Sequence, residues 1–226
     1  MLKNILKKSF LYKKFYYPRQ EKKEKEILQG KISAFCTGGL TLLKDFSALM
    51  DGNSIPYWLE FGSLLGAYRD KKFIVNDFDI DVGAYLSDAQ RIYDVLTNNG
   101  FSLIREFHVR GENGLEQTYE YAGTTIDVFY FFNRDGFIYC NGFYDAIKQS
   151  LDKYFDICVC EFKFKKFNIS KIDFLGLQVS VPEDTELHII EVYGNTYKVY
   201  DPNFKDGYNK TKYSIQEKVG CGFFLR

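Results

Sequence analysis

The sequence has few of the residues that build disulfide-linked or zinc-stabilised proteins. Its 226 residues include five cysteines and two histidines. An odd number of cysteines argues against a complete disulfide framework, and the chain has neither a CxxC pair nor a histidine cluster of the kind that binds zinc. Cys158 and Cys160 stand two apart, which is the spacing of side chains on one face of a strand. We therefore predict that the cysteines are core or reduced surface thiols and that His108 and His188 are not metal ligands.

Net charge and long apolar runs are also missing. Thirty basic residues balance thirty acidic ones, so the chain has no bulk electrostatic attraction to nucleic acid. No apolar run reaches the roughly 18 residues that a membrane-spanning helix needs. Lysines interrupt every short apolar stretch near the N-terminus, so a signal peptide is not expected. With 46% apolar residues the chain is predicted to be globular, and we expect a cytoplasmic protein.

Residues 1–28 differ from the rest because they are rich in lysine, with apolar residues interspersed up to Pro18. This spacing suits a basic amphipathic helix, which can contact the anionic inner face of a membrane where lipid-linked acceptors are found. A solvated extension packed lightly on the domain is the alternative. We predict a basic extension over 1–28 and a single catalytic domain over 29–226.

Hydrophobic periodicity predicts an α+β chain. A helical stripe spans 32–50, and Ser87 with Gln90 forms a capping-box pattern for a later helix. The segments CVCEFKFKKF and DFLGLQVSVP are predicted to pair as a hairpin or to lie as edge strands, and the C-terminal tail is predicted to be irregular. The other predicted strands are 55–61, 73–83, 101–107, 116–122 and 124–132, and the other predicted helices are 64–69, 87–99, 143–155 and 184–193.

The stretch NDFDIDV places Asp77, Asp79 and Asp81 at every second position, with apolar residues between them. In a strand the three carboxylates would share one face, about 7 Å apart, while the apolar residues pack on a core. Crowded carboxylates repel and raise each other's pKa, and a divalent cation such as Mg²⁺ or Mn²⁺ removes that repulsion. A solvated acidic strand face is the alternative interpretation.

The surrounding sequence favours the metal site. The strand TTIDVFYFF carries a lone acid, Asp127, and an unpaired acid among apolar neighbours is costly to bury. Gly62 and Ser63 follow a predicted strand and open a helix, where a backbone can approach a ligand and helix N-terminal amides favour phosphate. A strand, Gly-Ser, a helix, an Asp-x-Asp strand and a later lone Asp, in that order, are typical of the nucleotidyltransferase fold.

The run WLEFGSLLGAYRDKKFIVNDFDIDVGAY, residues 58–85, resembles the signature of the LicD/fukutin family. TTIDVFYF resembles that family's I-D-[IVL]-F strand, and FLGLQVSVPEDTELHIIEVYG resembles its downstream proline and Tyr-Gly segment. The resemblance spans about residues 32–204. Val75-Asn76 stands where the family has Pro-Trp, Phe78 replaces a frequent acid, and NTYKVY follows the Tyr-Gly pair in place of the usual tryptophan. These departures leave the carboxylates intact.

The resemblance implies a nucleotidyltransferase-like fold, a mixed β-sheet flanked by helices. It also implies transfer of phosphocholine or a phospho-alditol from a CDP-activated donor to a hydroxyl of a glycan or lipid-linked oligosaccharide, with release of CMP. Such chemistry belongs to the biosynthesis of cell-surface polysaccharides such as capsule and lipopolysaccharide. The implied catalytic and metal-binding residues, for Mg²⁺ or Mn²⁺, are Asp79, Asp81 and Asp127, and the implied substrate-binding residues are Gly62, Ser63, Arg69 and Asp77.

Individual roles follow from the same resemblance. Asp127 would complete the metal site and act as the base or orient the attacking hydroxyl. Arg69 would contact the diphosphate, and a salt bridge to Asp70 or Asp77 is its alternative. Asp77 would be an outer metal ligand or an anchor for Arg69. A choline donor would need an aromatic cage, for which the residues after Asp127, 130–132, are the candidates.

Two other functions fit the same residues. One is a nucleotidyltransferase that adds a nucleoside monophosphate to a small molecule or sugar and releases pyrophosphate. The other is an inactive nucleotide-binding member of the fold. The long signature and the downstream segment favour transfer of a substituted phosphate, and the presence of all three carboxylates argues against an inactive copy.

Overall fold

The computed structural model describes residues 17–109, 111–144, 155–199 and 214–224. These residues form a mixed β-sheet, a separate hairpin and helices that pack on the sheet. The helices are α1 (Tyr17–Gly52), α2 (Phe61–Leu65), α3 (Ala89–Asn98) and α4 (Thr185–Tyr193), with a π turn over Gly66–Asp70 and a 3₁₀ turn over Leu86–Asp88. The strands are β1 (Tyr57–Leu59), β2 (Asp79–Tyr85), β3 (Ser102–Val109), β4 (Leu115–Tyr121), β5 (Thr124–Arg134), β6 (Phe137–Tyr144), β7 (Phe155–Phe164), β8 (Ile169–Phe174), β9 (Leu177–Pro182) and β10 (Ser214–Phe224).

The main sheet has the strand order β1-β2-β5-β4-β3-β10-β7-β6. Its neighbours are antiparallel except β2 and β5, which run parallel. The far end of β5 also pairs with β6, so the strands from β5 through β4, β3, β10 and β7 to β6 form a closed circuit of pairings. The remaining strands, β8 and β9, form their own antiparallel hairpin. The parallel pair is the part of the sheet that carries the acidic residues.

One face of the parallel pair lies against a core that includes helix α1. Ile80 and Val82 of β2 and Ile126 and Val128 of β5 are all fully buried there. Burying each such side chain contributes about 1.5–3 kcal/mol. Because successive strand residues point to opposite faces, this packing directs the aspartates between them to the other face.

A second cluster, made mainly of aromatic side chains, includes Trp58, Phe61 and Phe129. Trp58 of β1 stands opposite Gly83 of β2. A Cβ added at Gly83 would lie 2.3 Å from Trp58 Nε1, far inside any allowed contact. Glycine at this position therefore lets the indole lie flat across β2.

Most of the elements predicted from periodicity are confirmed. The stripe over 32–50 lies in α1, the predicted strands over 101–132 correspond to β3, β4 and β5, and the last predicted helix is α4, which ends at Gly194. The predicted strand over 73–83 begins only at Asp79, so Asp77 precedes the strand. The capping box is wrong: a 3₁₀ turn comes first, the N-cap is Asp88, and Gln90 bonds Asp94 instead.

Errors in the second half come from long-range pairing. CVCEFKFKKF is part of β7, which pairs with β6 and β10, while DFLGLQVSVP belongs to the β8–β9 hairpin. The tail predicted to be irregular contains β10, because β3 and β7 supply pairing edges on both of its sides. The predicted helix over 143–155 lies mostly outside the described residues, and its ends belong to β6 and β7.

The predicted division at residue 28 falls within α1, which continues through it without a break. Residues 1–16 lie outside the described part, so the basic extension stays a prediction. Within the described residues, no helix combines the length and apolar content needed to cross a bilayer.

Candidate active site

The acidic residues of the two parallel strands meet at one level of the sheet. Asp81 of β2 is the register partner of Asp127 of β5, and Asp79 is the partner of Thr125. Neighbouring strands lie about 4.8 Å apart, so the two carboxylates converge from adjacent backbones. Asp127 is 8% exposed, which makes it one of the few buried acids. The sheet thus brings together the residues that the sequence assigned to catalysis.

Asp77 joins this group although it lies before the strand. A Cβ added at Gly62 would lie 3.2 Å from Asp81 Oδ2 and 3.4 Å from Asp77 Oδ2, so both carboxylates approach the same glycine. Its neighbour Asn76 has a positive φ of 71°, and this turn aims the chain back toward the sheet. Asp77 therefore reaches the acidic group by a turn and not by strand alternation.

The electrostatics of the group are those of crowded anions. Burial, and then the charges of Asp127 and Asp77, raise the pKa of Asp79 well above its usual value. Burial, followed by the charges of Asp79 and Asp77, does the same to the pKa of Asp81. Burial raises the pKa of Asp77 to about 6. The protein holds these carboxylates together against their mutual repulsion, which is the situation that a bound cation relieves.

The corner between β1 and α2 fixes Asp81. The amide of Gly62 donates to Asp81 Oδ2 at 3.1 Å, and the amide of Asp81 donates to Ser63 Oγ at 2.9 Å. The amide of Glu60 donates to the carbonyl of Asp81 at 3.0 Å. Phe61, inside this corner, has a φ of 40°, a left-handed conformation that costs energy in a bulky residue. The phosphate-binding roles of Gly62 and Ser63 stay predictions, since the contacts seen here go to Asp81.

A buried carboxylate that the sequence did not single out supports this corner. Glu60 is fully buried and accepts hydrogen bonds from Trp58 Nε1 at 2.8 Å and from the amide of Phe61 at 3.3 Å. His188 Nε2, on α4, lies 2.9 Å from Glu60 Oε1 and stacks on Phe164 with a centroid distance of 4.5 Å. No sequence signal links Glu60 and His188, because 128 residues separate them.

An arginine that the sequence did not single out reaches the other side of the acidic group. Arg105 Nη2, on β3, lies 2.9 Å from Asp127 Oδ2 and 3.2 Å from Glu116 Oε1. Burial raises the pKa of Glu116 to about 8, against the lowering effect of Arg105. In the sequence Arg105 is one polar residue of an alternating strand, and only the pairing of β3 with β4 and β4 with β5 brings it to Asp127.

Arg69, predicted to contact a diphosphate, is held by protein groups. Its Nε and Nη2 donate to Asp70 at 2.8 Å and 2.7 Å, and its Nη1 donates to the carbonyl of Tyr197 at 3.0 Å. The ion pair lowers the pKa of Asp70. The salt bridge to Asp70, named above as the alternative for Arg69, is therefore the contact observed, and the diphosphate contact stays a prediction.

The aromatic cage predicted for choline is not formed by residues 130–132. Adjacent strand residues point to opposite faces. Tyr130 is fully buried and donates to Gln117 Oε1 at 2.6 Å, whereas Phe131 packs against Trp58 at a centroid distance of 4.9 Å. Phe132 stacks on Tyr139. These rings serve separate packing roles, so this prediction is wrong.

The donor chemistry of the acidic group suits a hard divalent cation. Asp127 Oδ1 is buried and has no hydrogen-bond partner among the described residues. Asp77, Asp79 and Asp81 add carboxylate oxygens, which Mg²⁺ and Mn²⁺ prefer. The described residues do not hold three such side chains in a ready-made ligand arrangement. The residue types fit a metal, and some side-chain adjustment would accompany its binding.

The parallel pair, its carboxylates and the Gly-Ser corner define a nucleotidyltransferase-like domain, as the sequence predicted. Residues 54–184 match the family described as "LicD/FKTN/FKRP, nucleotidyltransferase domain". Since this match covers more than half of the chain, the protein belongs to that family.

Curated relatives match over limited parts of their length. Human "Ribitol-5-phosphate transferase FKTN" is 27% identical over 168 residues, 74% of this chain and 34% of that protein. Human "Ribitol 5-phosphate transferase FKRP" is 30% identical over 94 residues, 39% of this chain and 19% of that protein. This chain thus spans about a third of the length of FKTN. Among solved structures, that of the antibiotic-resistance factor ANT(2'')-Ia aligns with a TM-score of 0.46 at 12% identity, covering 77% of this chain and 80% of that one.

Proposed function

We propose that the protein transfers a substituted phosphate, of the phospho-alditol type, from a CDP-activated donor to a hydroxyl of a glycan or lipid-linked oligosaccharide, releasing CMP. The observation that carries the proposal is the register of Asp81 with Asp127 across the parallel strands, with Asp79 beside them. Family membership and the names of FKTN and FKRP, both ribitol phosphate transferases, support it.

Different residues of the chain have different roles in the proposed reaction. Asp127 is held through Oδ2, and its buried Oδ1 is available to take the proton of the acceptor hydroxyl. The hydroxyl oxygen then bonds to the phosphorus that carries the alditol, the bond from that phosphorus to the CMP oxygen breaks, and CMP leaves. Asp79 and Asp81 would hold Mg²⁺ or Mn²⁺, which would neutralise charge on the diphosphate, and Asp127, named above as a further metal ligand, serves in this mechanism as the base.

Asp81 is held in one position by hydrogen bonds with neighbouring residues of the same chain. Its carboxylate is fixed by the Gly62 amide and its backbone by Ser63 and Glu60. Placing reacting groups to within a fraction of an ångström supplies a large share of catalysis in phosphoryl transfer, where the protein does little covalent chemistry.

An alditol fits the site better than choline. A quaternary ammonium needs several aromatic faces around one point, and the rings after Asp127 do not provide them. An alditol instead needs polar groups that bind hydroxyls, and the carboxylates of the acidic group are groups of that kind. We accordingly place the protein in the synthesis of a cell-surface polysaccharide or glycoconjugate, on the cytoplasmic side of the membrane.

The test is turnover of a donor panel with Mg²⁺ or Mn²⁺ and candidate acceptor glycans: CDP-ribitol, CDP-glycerol, CDP-choline, CDP-ethanolamine, ATP and CTP. CMP and pyrophosphate are measured separately, and an Asp79→Asn/Asp81→Asn variant is the control. We expect CMP from a CDP-alditol, and none from the control. Pyrophosphate release from a triphosphate would instead make the protein a nucleotidyltransferase.

The inactive alternative is addressed by binding. If no donor is consumed, calorimetric titration of CDP-ribitol with Mn²⁺ follows. Binding that disappears in the Asp79→Asn/Asp81→Asn variant would show a donor site at the acidic group, and turnover with a wider acceptor panel would then separate the active protein from the inactive alternative. Absence of donor binding by the unmodified protein would refute the proposed function.

A further inference from the structure

The guanidinium of Arg105 is in direct contact with the acidic group. Its Nη2 bridges Asp127 Oδ2 and Glu116 Oε1 at 2.9 Å and 3.2 Å. Its charge also acts on Asp79, where it opposes the upward shift of the pKa. Arg105 therefore touches Asp127 directly and influences Asp79 through space.

Three packed strands hold the Arg105 side chain in place. Arg105 of β3 is the register partner of Thr118 of β4, and Thr118 is the partner of Asp127 of β5. The guanidinium lies 4.8 Å from the centroid of the Phe107 ring, two residues along the same face. The Arg105 side chain is 25% exposed and that of Glu116 is 6% exposed. A rigid sheet and a buried carboxylate thus fix the arginine that contacts Asp127.

Arg105, Thr118 and Asp127 each have a buried polar atom without a hydrogen-bond partner among the described residues, and this points to a role in the reaction. Asp127 Oδ1, Thr118 Oγ1 and Arg105 Nε are all buried, and none has a hydrogen-bond partner among the described residues. Buried polar atoms without partners are rare in folded proteins, and each calls for an explanation such as a catalytic role or a bound water or ion. One oxygen of Asp127 is held while its other oxygen is free.

We propose that Arg105 is a positioning residue for Asp127, fixing one carboxylate oxygen so that the other faces the acceptor hydroxyl. The inference rests on the proposed function, because it assigns Asp127 to that hydroxyl. Glu116 supports this role, since its carboxylate contacts the same Nη2 of Arg105. Arg105 also lowers the attraction of the acidic group for a metal ion, as a fixed positive charge beside it does.

Arg69 and Arg105 differ in which carboxylates they contact, and this difference supports the role assigned to Arg105. Arg69 forms a bidentate pair with Asp70, outside the acidic group. A single nitrogen of Arg105, Nη2, contacts the carboxylates of Glu116 and Asp127, and Asp127 belongs to the acidic group. Of these two arginines, Arg105 is therefore the one whose described contacts reach a carboxylate of the acidic group.

The test compares Arg105→Met, Arg105→Lys and Glu116→Gln with the unmodified protein. For Arg105→Met we expect kcat to fall about 10- to 100-fold with an unchanged KM for the CDP donor, because Asp127 loses its orientation. We expect Mn²⁺, titrated alone and followed by electron paramagnetic resonance, to bind about 3- to 10-fold more tightly, because a positive charge is gone. Arg105→Lys should keep the Mn²⁺ affinity and lose part of kcat, since the ammonium of a differently shaped side chain cannot take the position from which Nη2 bridges Asp127 and Glu116.

Glu116→Gln keeps the shape of the residue, so this variant replaces Arg105→Met in the test if Arg105→Met does not fold. We expect a smaller fall in kcat for Glu116→Gln. The matched control is Arg134→Met, which removes an arginine from a similar pair with Glu161 near the far end of β5. We expect the control to change neither kcat nor the Mn²⁺ affinity.

Three results would overturn the proposal: a change in kcat of less than twofold, a raised donor KM at constant kcat, or weaker Mn²⁺ binding in Arg105→Met. If the unmodified protein neither turns over nor binds any donor, the proposed function fails on its own. The Mn²⁺ titration then still decides whether Arg105 opposes cation binding at the acidic group.

Discussion

Replacing Asp81 with asparagine should make the metal-free protein more stable while abolishing its activity. Asparagine has the same shape and keeps an oxygen that can accept the hydrogen bond from the Gly62 amide, now made at 3.1 Å. The substitution removes the negative charge and replaces the other carboxylate oxygen with an amide nitrogen. In the variant, residue 81 no longer offers a carboxylate to a bound cation. At the same time Asp79, Asp77 and Asp127 are no longer repelled by a charge at position 81.

The size of the effect follows from the sheet geometry. Asp79 lies about 7 Å from Asp81 along the strand, and Asp127 is on a backbone about 4.8 Å away. Two like charges at these distances repel by about 2.4–3.5 kcal/mol at an effective dielectric constant of about 20. Arg105 and partial protonation reduce this, so we expect a net gain of about 1–3 kcal/mol at pH 8. Each kcal/mol corresponds to about 2–4 °C in Tm for a protein of this size.

The raised pKa of Asp81 determines how the stability difference between the variant and the unmodified protein changes with pH. A carboxyl whose pKa is raised in the folded state binds its proton more tightly there than in the unfolded chain. Folding stability is then lost as pH rises from the unfolded value of 3.8 through the raised folded pKa of Asp81. Asp81→Asn lacks this loss. The advantage of the variant should therefore be largest at pH 8 and vanish near pH 4.

The assay is urea unfolding at pH 4, 6 and 8 in EDTA, repeated at pH 8 with Mg²⁺. Mg²⁺ should stabilise the unmodified protein by mass action and the variant much less. Leu86→Ala, outside the acidic group, controls for a general effect of substitution. A variant less stable than the unmodified protein at pH 8 in EDTA would show that Asp81 is not under repulsion, and the reasoning would fail.

Three further predictions concern the surroundings of the site. Glu60→Gln should cost about 1–3 kcal/mol in urea unfolding, because its amide nitrogen would face a donor, either Nε1 of Trp58 or the amide of Phe61, and unchanged stability would contradict the buried network. Gly83→Ala should cost about 1–3 kcal/mol, since its methyl would meet Trp58 at 2.3 Å, and a normal Tm with unchanged near-ultraviolet dichroism would refute this packing. Removing residues 1–28 should abolish salt-sensitive sedimentation with anionic liposomes, and failure of the full chain to sediment would exclude the membrane contact.

The acidic strand was predictable because its signal is local. Alternation over NDFDIDV gives the face of Asp79 and Asp81 directly, and the apolar run around Asp127 marks a buried strand with one costly residue. The error at Asp77 has a local cause, because alternation cannot show that a turn at Asn76 replaces the first part of the strand.

Arg105 and His188 could not be found in this way. Their importance comes from contacts with residues far away in the sequence, across β4 for Arg105 and across most of the chain for His188. Periodicity says which face a side chain occupies within its own element, and it carries no information about which element lies alongside. The same limit explains why β7 was paired with the wrong partner and why β10 was missed.

The place of β10 between β3 and β7 has a consequence for the newly made chain. Residues 214–224 are synthesised after every other described strand, yet they occupy an interior position in the sheet. Until they emerge from the ribosome, the edge of β3 beside Arg105 has no neighbour on that side, and the edge of β7 is open as well. Open edges invite association with other chains. A nascent or prematurely terminated chain that lacks β10 should therefore depend on chaperones, and completion of the sheet should coincide with its release from them.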